Sequence, residues 1–148
     1  MSTSFRFEHR WLLDAEAGAA YDVLVDVERY PEWWPQISAV AKLGEDHALV
    51  LCRSVLPFTL HLELRPVVRD PDAGVLHVSI DGDLEGWSRF TLSPTDAGLD
   101  VFYEQEVETR RPMLDATRWV RRAVRTNHTW MMRSARVGLE TRVALASR

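Results

Sequence analysis

Val27-Glu28-Arg29-Tyr30-Pro31-Glu32-Trp33-Trp34-Pro35 sets three large aromatic residues around two prolines. Proline fixes its own backbone angle and pushes the residue before it out of the helical region, so Tyr30 and Trp34 are expected in turn or extended geometry. A stiff corner bearing adjacent tryptophans presents a large apolar area, which either the core or a ligand must cover.

Working upstream, Ala20, Val23, Leu24 and Val27 recur at helical spacing. Residues 16–28 therefore read as a short amphipathic helix, with Asp14 as its expected N-cap. Residues 4–13 alternate as a strand with Phe5, Phe7 and Trp11 inward. Downstream, the period changes to two and holds from residue 37 for most of the next stretch. Strands are predicted at 37–43 and 47–55 around Gly44-Glu45-Asp46. Between Pro57 and Pro66, Phe58, Leu60, Leu62 and Leu64 share one face, while Thr59, His61, Glu63 and Arg65 share the other. Leu76, Val78 and Ile80 repeat the pattern after the turn at Asp70-Pro71-Asp72-Ala73-Gly74. Residues 84–92 and 99–108 form the last expected hairpin. The whole reads as an antiparallel meander.

Residues 112–145 contain no internal proline and one glycine, Gly138, and are predicted as a single long helix. Taking Asn127 as the middle of its apolar stripe, Val120, Ala123, Val124, Trp130, Met131, Ser134, Ala135 and Gly138 fall within about 80°. The arginines Arg118, Arg122, Arg125, Arg133 and Arg136 fall on the far side. Trp119 and Trp130 share a flank and are expected to pack against the sheet edge.

The chain has 148 residues, of which 46% are hydrophobic, and no shift in composition marks a linker, so one domain over 1–148 is expected. No stretch approaches the roughly 18 apolar residues of a membrane span, and the first residues lack the apolar run of a signal peptide. The single cysteine, Cys52, has no internal disulfide partner, which makes the cytoplasm the expected compartment. The formal charge of -4 hides an asymmetry: residues 112–148 carry 8 arginines and 2 acids, the remainder 10 basic residues and 20 acids. That basic segment reads first as a solvated helix face beside an acidic body.

The corner Tyr30-Pro31-Glu32-Trp33-Trp34-Pro35, the stretch Gly86-Trp87-Ser88-Arg89-Phe90-Thr91-Leu92 leading through Gly98 to Tyr103, and Asn127-His128-Thr129-Trp130-Met131-Met132 together resemble the polyketide cyclase/dehydrase branch of the START-like (Bet v 1-like) superfamily. The resemblance spans roughly residues 4–145. It implies an α+β helix-grip fold, in which a curved antiparallel sheet of about seven strands wraps a long C-terminal helix and two short helices follow the first strand. It also implies an internal cavity between sheet and helix. Carriers and enzymes share this fold, so function has to be argued from the site.

On that frame, the residues expected to meet a ligand are Tyr30, Trp34, Arg53, Phe58, Leu60, Leu62, Val78, Phe90, Tyr103, Gln105, Val124, Asn127 and Met131. Asn127 is an amide in an apolar stripe. Either a ligand or Tyr103, Gln105 or a trapped water satisfies it, since an unmet buried polar group costs about 1–3 kcal/mol. Arg53 shares the parity of Leu49 and Leu51 and is the inward charge candidate of its strand. Aromatase/cyclases of the superfamily use an arginine and hydroxyls, which makes Arg53 and Tyr103 the catalytic candidates if the protein is an enzyme.

Other groups carry less. His61 and His77 are expected across neighbouring strands on the outer surface, without a third metal ligand. His128 reads as a packed or rim histidine, Cys52 as a small packing residue, and Trp87 as outward unless a bulge near Gly86 re-aims it. Neither a metal nor a cofactor is expected. The leading expectation is a binder of a hydrophobic molecule such as a polyketide, quinone or lipid. A polyketide aromatase/cyclase comes second, and a protein-interaction module third. Nucleic acid is not an expected partner, and a homodimer is allowed for.

Overall fold

The computed structural model describes residues 3–53, 59–109 and 118–146. Its elements run β1 (Thr3–Leu13), α1 (Ala17–Val25), a 3₁₀ helix (Val27–Glu32), β2 (Ile37–Gly44), β3 (His47–Arg53), β4 (Thr59–Asp70), β5 (Val75–Gly82), β6 (Leu84–Thr95), β7 (Gly98–Thr109) and α2 (Arg118–Ala146). The strands form one antiparallel sheet in the order β1-β7-β6-β5-β4-β3-β2. Thus β1 and β2, neighbours in the chain, lie at opposite edges, and the two short helices carry the chain between them.

Strict alternation explains the inner face. Leu60, Leu62 and Leu64 of β4 pair with Cys52, Val50 and Ala48 of β3, and directly opposed residues share a face. Phe90 and Leu92 of β6 sit opposite Tyr103 and Val101 of β7. Phe5, Phe7, Trp11 and Leu13 are all buried from β1. Along α2 the buried seam is His128, Met132, Ala135, Leu139 and Val143, with Asn127 beside it.

Several expectations need correction. On β3 both faces of His-Ala-Leu-Val-Leu-Cys-Arg offer apolar residues, and pairing with β4 turns Val50 and Cys52 inward, so Arg53 is exposed. Asp14 does not cap α1: Glu16 stands at the N-cap, with no side-chain hydrogen bond. On α2 the inward side reaches from Asn127, Met131 and Gly138 round to Met132, Leu139 and Val143, so its centre lies about 70° from Asn127. Trp119 and Trp130 are consequently 78% and 51% exposed instead of packed on the sheet edge. His61 and His77 do not face each other, because the register places Val68 opposite His77 and Gly82 opposite Leu62. No register shift interrupts β6 and β7, so Trp87 stays on the outer face, edge-on to His77 and under Arg89.

The opening corner is a docking point for α2. Pro31 is accommodated inside the 3₁₀ helix, where its fixed φ suits the turn. The Trp34 indole N–H donates to the Met131 carbonyl at 3.1 Å, Gln36 donates to the Ser134 hydroxyl at 3.1 Å, and Arg142 pairs with Glu32 at 3.0 Å. Gly138 completes the stripe: a Cβ built there would stand 1.8 Å from the Trp33 carbonyl oxygen. Residues 131, 134, 138 and 142 lie three to four apart, hence on one side of the helix.

Candidate functional site

Between the inner face of the sheet and α2 lies a cavity of about 120 Å³. Every strand contributes to its lining, together with α2, the 3₁₀ helix and Trp34. Of the expected ligand-facing residues, Tyr30, Trp34, Leu60, Leu62, Val78, Phe90, Tyr103, Gln105, Val124, Asn127 and Met131 meet around this space. Arg53 does not, since it faces outward at the end of β3. Phe58 lies outside the described residues. Trp33 is buried but does not line the cavity, so the two tryptophans of the corner divide between core and wall.

The lining is aliphatic and aromatic except around Tyr103. Its hydroxyl and His128 Nε2, the latter at 3.1 Å, both meet the Gln105 side-chain oxygen. Ser88, opposite Gln105 in the ladder, is hydrogen-bonded to Tyr103. With the Gln105 carbonyl accepting from both neighbours, His128 carries its proton on Nε2. Its Nδ1 is then free to accept from His9 Nε2, 3.2 Å away. The His128 ring lies flat on Phe7, with centroids 3.7 Å apart. A polar chain therefore runs from half-buried His9 on β1, through His128 on α2, to Gln105 and Tyr103 on β7.

This polar chain was only partly legible. Tyr103 and Gln105 follow from their alternation with Val101 and Val107. His128 is central rather than peripheral, and His9 joins it from the other end of the sequence. A histidine on a buried seam is the signal for the first; for the second it is the parity that His9 shares with Phe5, Phe7 and Trp11 on β1. Asn127 also has an interaction of its own and is not an unpaired amide.

Burial moves these groups away from neutrality, because desolvation disfavours the charged form. His128 is lowered to about 3, by burial first and then by neighbouring His9. His9 is lowered by burial, and the hydroxyls of Tyr103 and Tyr30 are pushed above the ordinary tyrosine range, also chiefly by burial. Burial likewise pushes the Cys52 thiol up to about 12. Its sulfur sits 3.7 Å from that of Met131. Cys52 is thus a protonated packing group. Iodoacetamide at neutral pH is expected to leave it unmodified in the folded protein and to label it fully in denaturant; rapid labelling of folded protein would refute this.

A second, open groove of about 540 Å³ lies beside the cavity, framed by α1, the 3₁₀ helix and the turns of the β2–β3 and β4–β5 hairpins. Val27, Leu64, Leu76 and Val78 line both spaces. Its rim carries Asp26, Glu28, Glu45 and Asp46 against Lys42 and Arg69. The ion pairs Lys42–Glu28 at 3.7 Å and Arg69–Asp46 at 3.0 Å tie its edges together.

A family model described as polyketide cyclase / dehydrase and lipid transport matches residues 13–133. No curated protein sequence matches significantly. Among solved structures, the Zhui aromatase/cyclase from Streptomyces sp. R1128 is 14% identical, with a TM-score of 0.76 over 99% of this chain and 97% of the other. A protein from Thermus thermophilus is 17% identical, with a TM-score of 0.78 over 99% and 100% of the two chains. A conserved protein from Geobacillus kaustophilus is 10% identical, with a TM-score of 0.81 over 96% and 97%. At these identities the likeness shows a shared fold.

Proposed function

Because the chain belongs to the polyketide cyclase/dehydrase and lipid transport family, we propose that it binds a hydrophobic small molecule whose oxygen docks beside Tyr103. The observation that carries this reading is the gathering of Ser88, Tyr103, Gln105 and His128 in an otherwise oily cavity. A few convergent polar groups in an apolar space orient a ligand, while the apolar walls supply affinity. Tyr103 can turn its O–H from Gln105 to a ligand carbonyl or phenol at little net cost, one hydrogen bond being exchanged for another.

Size refines the reading. The cavity of about 120 Å³ is smaller than the roughly 300–1,000 Å³ of pockets for drug-sized ligands, and nearer the engineered cavities that hold one benzene ring. An elongated polyketide, quinone or lipid would place one ring or chain end inside and its remainder in the groove, past Val27, Leu64, Leu76 and Val78. The acids that outnumber bases on the groove rim disfavour a carboxylate head there.

Binding is preferred over cyclase chemistry because the described titratable groups lining the cavity lie far from neutrality. General acid–base catalysis works best with groups titrating near the operating pH. Neutral His128 and protonated Tyr103 suit recognition.

The test is titration with anilinonaphthalene sulfonate, followed by displacement with quinones and aromatic polyketides. Stoichiometric displacement is expected, and Tyr103→Phe should weaken the displacing compound roughly ten-fold, the worth of one neutral hydrogen bond. A folded protein that binds no such compound would overturn the proposal, whereas turnover of a poly-ketone would favour the cyclase reading.

A further inference from the structure

We propose that the solvent face of α2 docks this protein on the surface of an anionic phospholipid bilayer. Trp119, Trp130 and Val137 are 78%, 51% and 66% exposed. At 3.6 residues per turn they fall within about 20° of one line, on the side opposite His128, Ala135 and Leu139, and at about 1.5 Å per residue they span roughly 27 Å. Arg122 and Arg133 lie about 60° and 40° to one side of this line and Arg136 farther round on the same side; all three are exposed, without an acidic partner among the described residues. Glu140 is the one acid in α2.

Charge and spacing together select the occupant. A surface of phosphates complements the arginines, whose planar forks pair bidentately with phosphate oxygens. Tryptophan seats its ring at headgroup depth with the N–H toward water. Three anchors set well apart along a convex helix do not make the contiguous apolar centre of a protein interface, but each can enter a fluid bilayer separately. The charge asymmetry orients the approach, since the acidic body is repelled by the surface that attracts the basic helix. No helix among the described residues is long and apolar enough to cross a membrane, so the contact is peripheral. This face is separate from the cavity, and the inference stands whether or not a ligand is found there.

The experiment is cosedimentation of the full chain with vesicles of phosphatidylcholine alone and of phosphatidylcholine mixed with phosphatidylglycerol. Binding is expected only to the mixed vesicles and should weaken as salt screens the arginines. Arg122→Ala/Arg133→Ala should weaken it roughly thirty-fold, and Trp119→Ala/Trp130→Ala should abolish it. Because these side chains are exposed, the urea midpoint of each variant should match the wild type. Equal binding to both vesicle types, no binding to either, or full binding by the tryptophan variant would overturn the proposal. So would a dimer in sedimentation equilibrium that this variant dissolves, or a random DNA duplex bound through the arginines in place of vesicles. Those outcomes would give the face to a second copy or to nucleic acid.

Discussion

Gly138→Ala is expected to destabilise the protein by about 3 kcal/mol, at the upper end of the cost of overpacking. In an ordinary helix interior the same change stabilises by about 1 kcal/mol through propensity, so the predicted sign is opposite to the local rule. The reason is the obstacle. An added methyl would stand 1.8 Å from the Trp33 carbonyl oxygen and 2.9 Å from its carbon, and a backbone atom cannot swing aside as a flexible side chain can. Either α2 lifts, stretching Trp34–Met131 and Gln36–Ser134 together, or the aromatic corner backs away and enlarges the cavity. Urea unfolding of wild type and variant measures the effect. An unchanged or raised midpoint would show that the close approach carries no weight.

The second large effect is on acid stability. His128 in the folded protein accepts a proton only near pH 3, whereas the unfolded chain accepts one near 6.5. Below pH 6.5 the unfolded state therefore binds more protons, and stability falls as pH falls toward 3 by about 1.4 kcal/mol per unit. The loss at pH 5 amounts to about 2 kcal/mol. His9, lowered in the same direction, adds with the same sign. His128→Gln keeps a donor for Gln105 and removes the titration. It should cost some stability at neutral pH while flattening the dependence between pH 6.5 and 3. A variant whose unfolding free energy falls with acid as steeply as the wild type's would show that the proton goes elsewhere.

Most of the sheet was legible because its strands announce their faces. In β4 polar residues separate Leu60, Leu62 and Leu64 without exception, and the inner face follows at once. In β3 both faces are apolar, so pattern could not choose between them; only pairing with β4 shows Cys52 inside and Arg53 outside. The helix misled for a related reason. Centring the stripe on the amide of Asn127 took in Trp130 on one flank and left out Met132, Leu139 and Val143 on the other, which are buried. In the site, Tyr103 and Gln105 were within reach of alternation, but the His9–His128 pair joins residues 119 positions apart. Nor does any spacing in the chain disclose that Gly138 admits the Trp33 carbonyl, since that contact depends on how closely two backbones approach.

The lining of the cavity is drawn from every strand as well as from α2, and this bears on how the proposed pocket could change its ligand. No loop or single strand owns the lining. A substitution at Leu62, Val78 or Phe90 reshapes one patch of wall while the ladder on either side keeps its register. Under the proposed function, selectivity can then drift by single exchanges scattered through the chain, in a fold that proteins of 10–17% identity share.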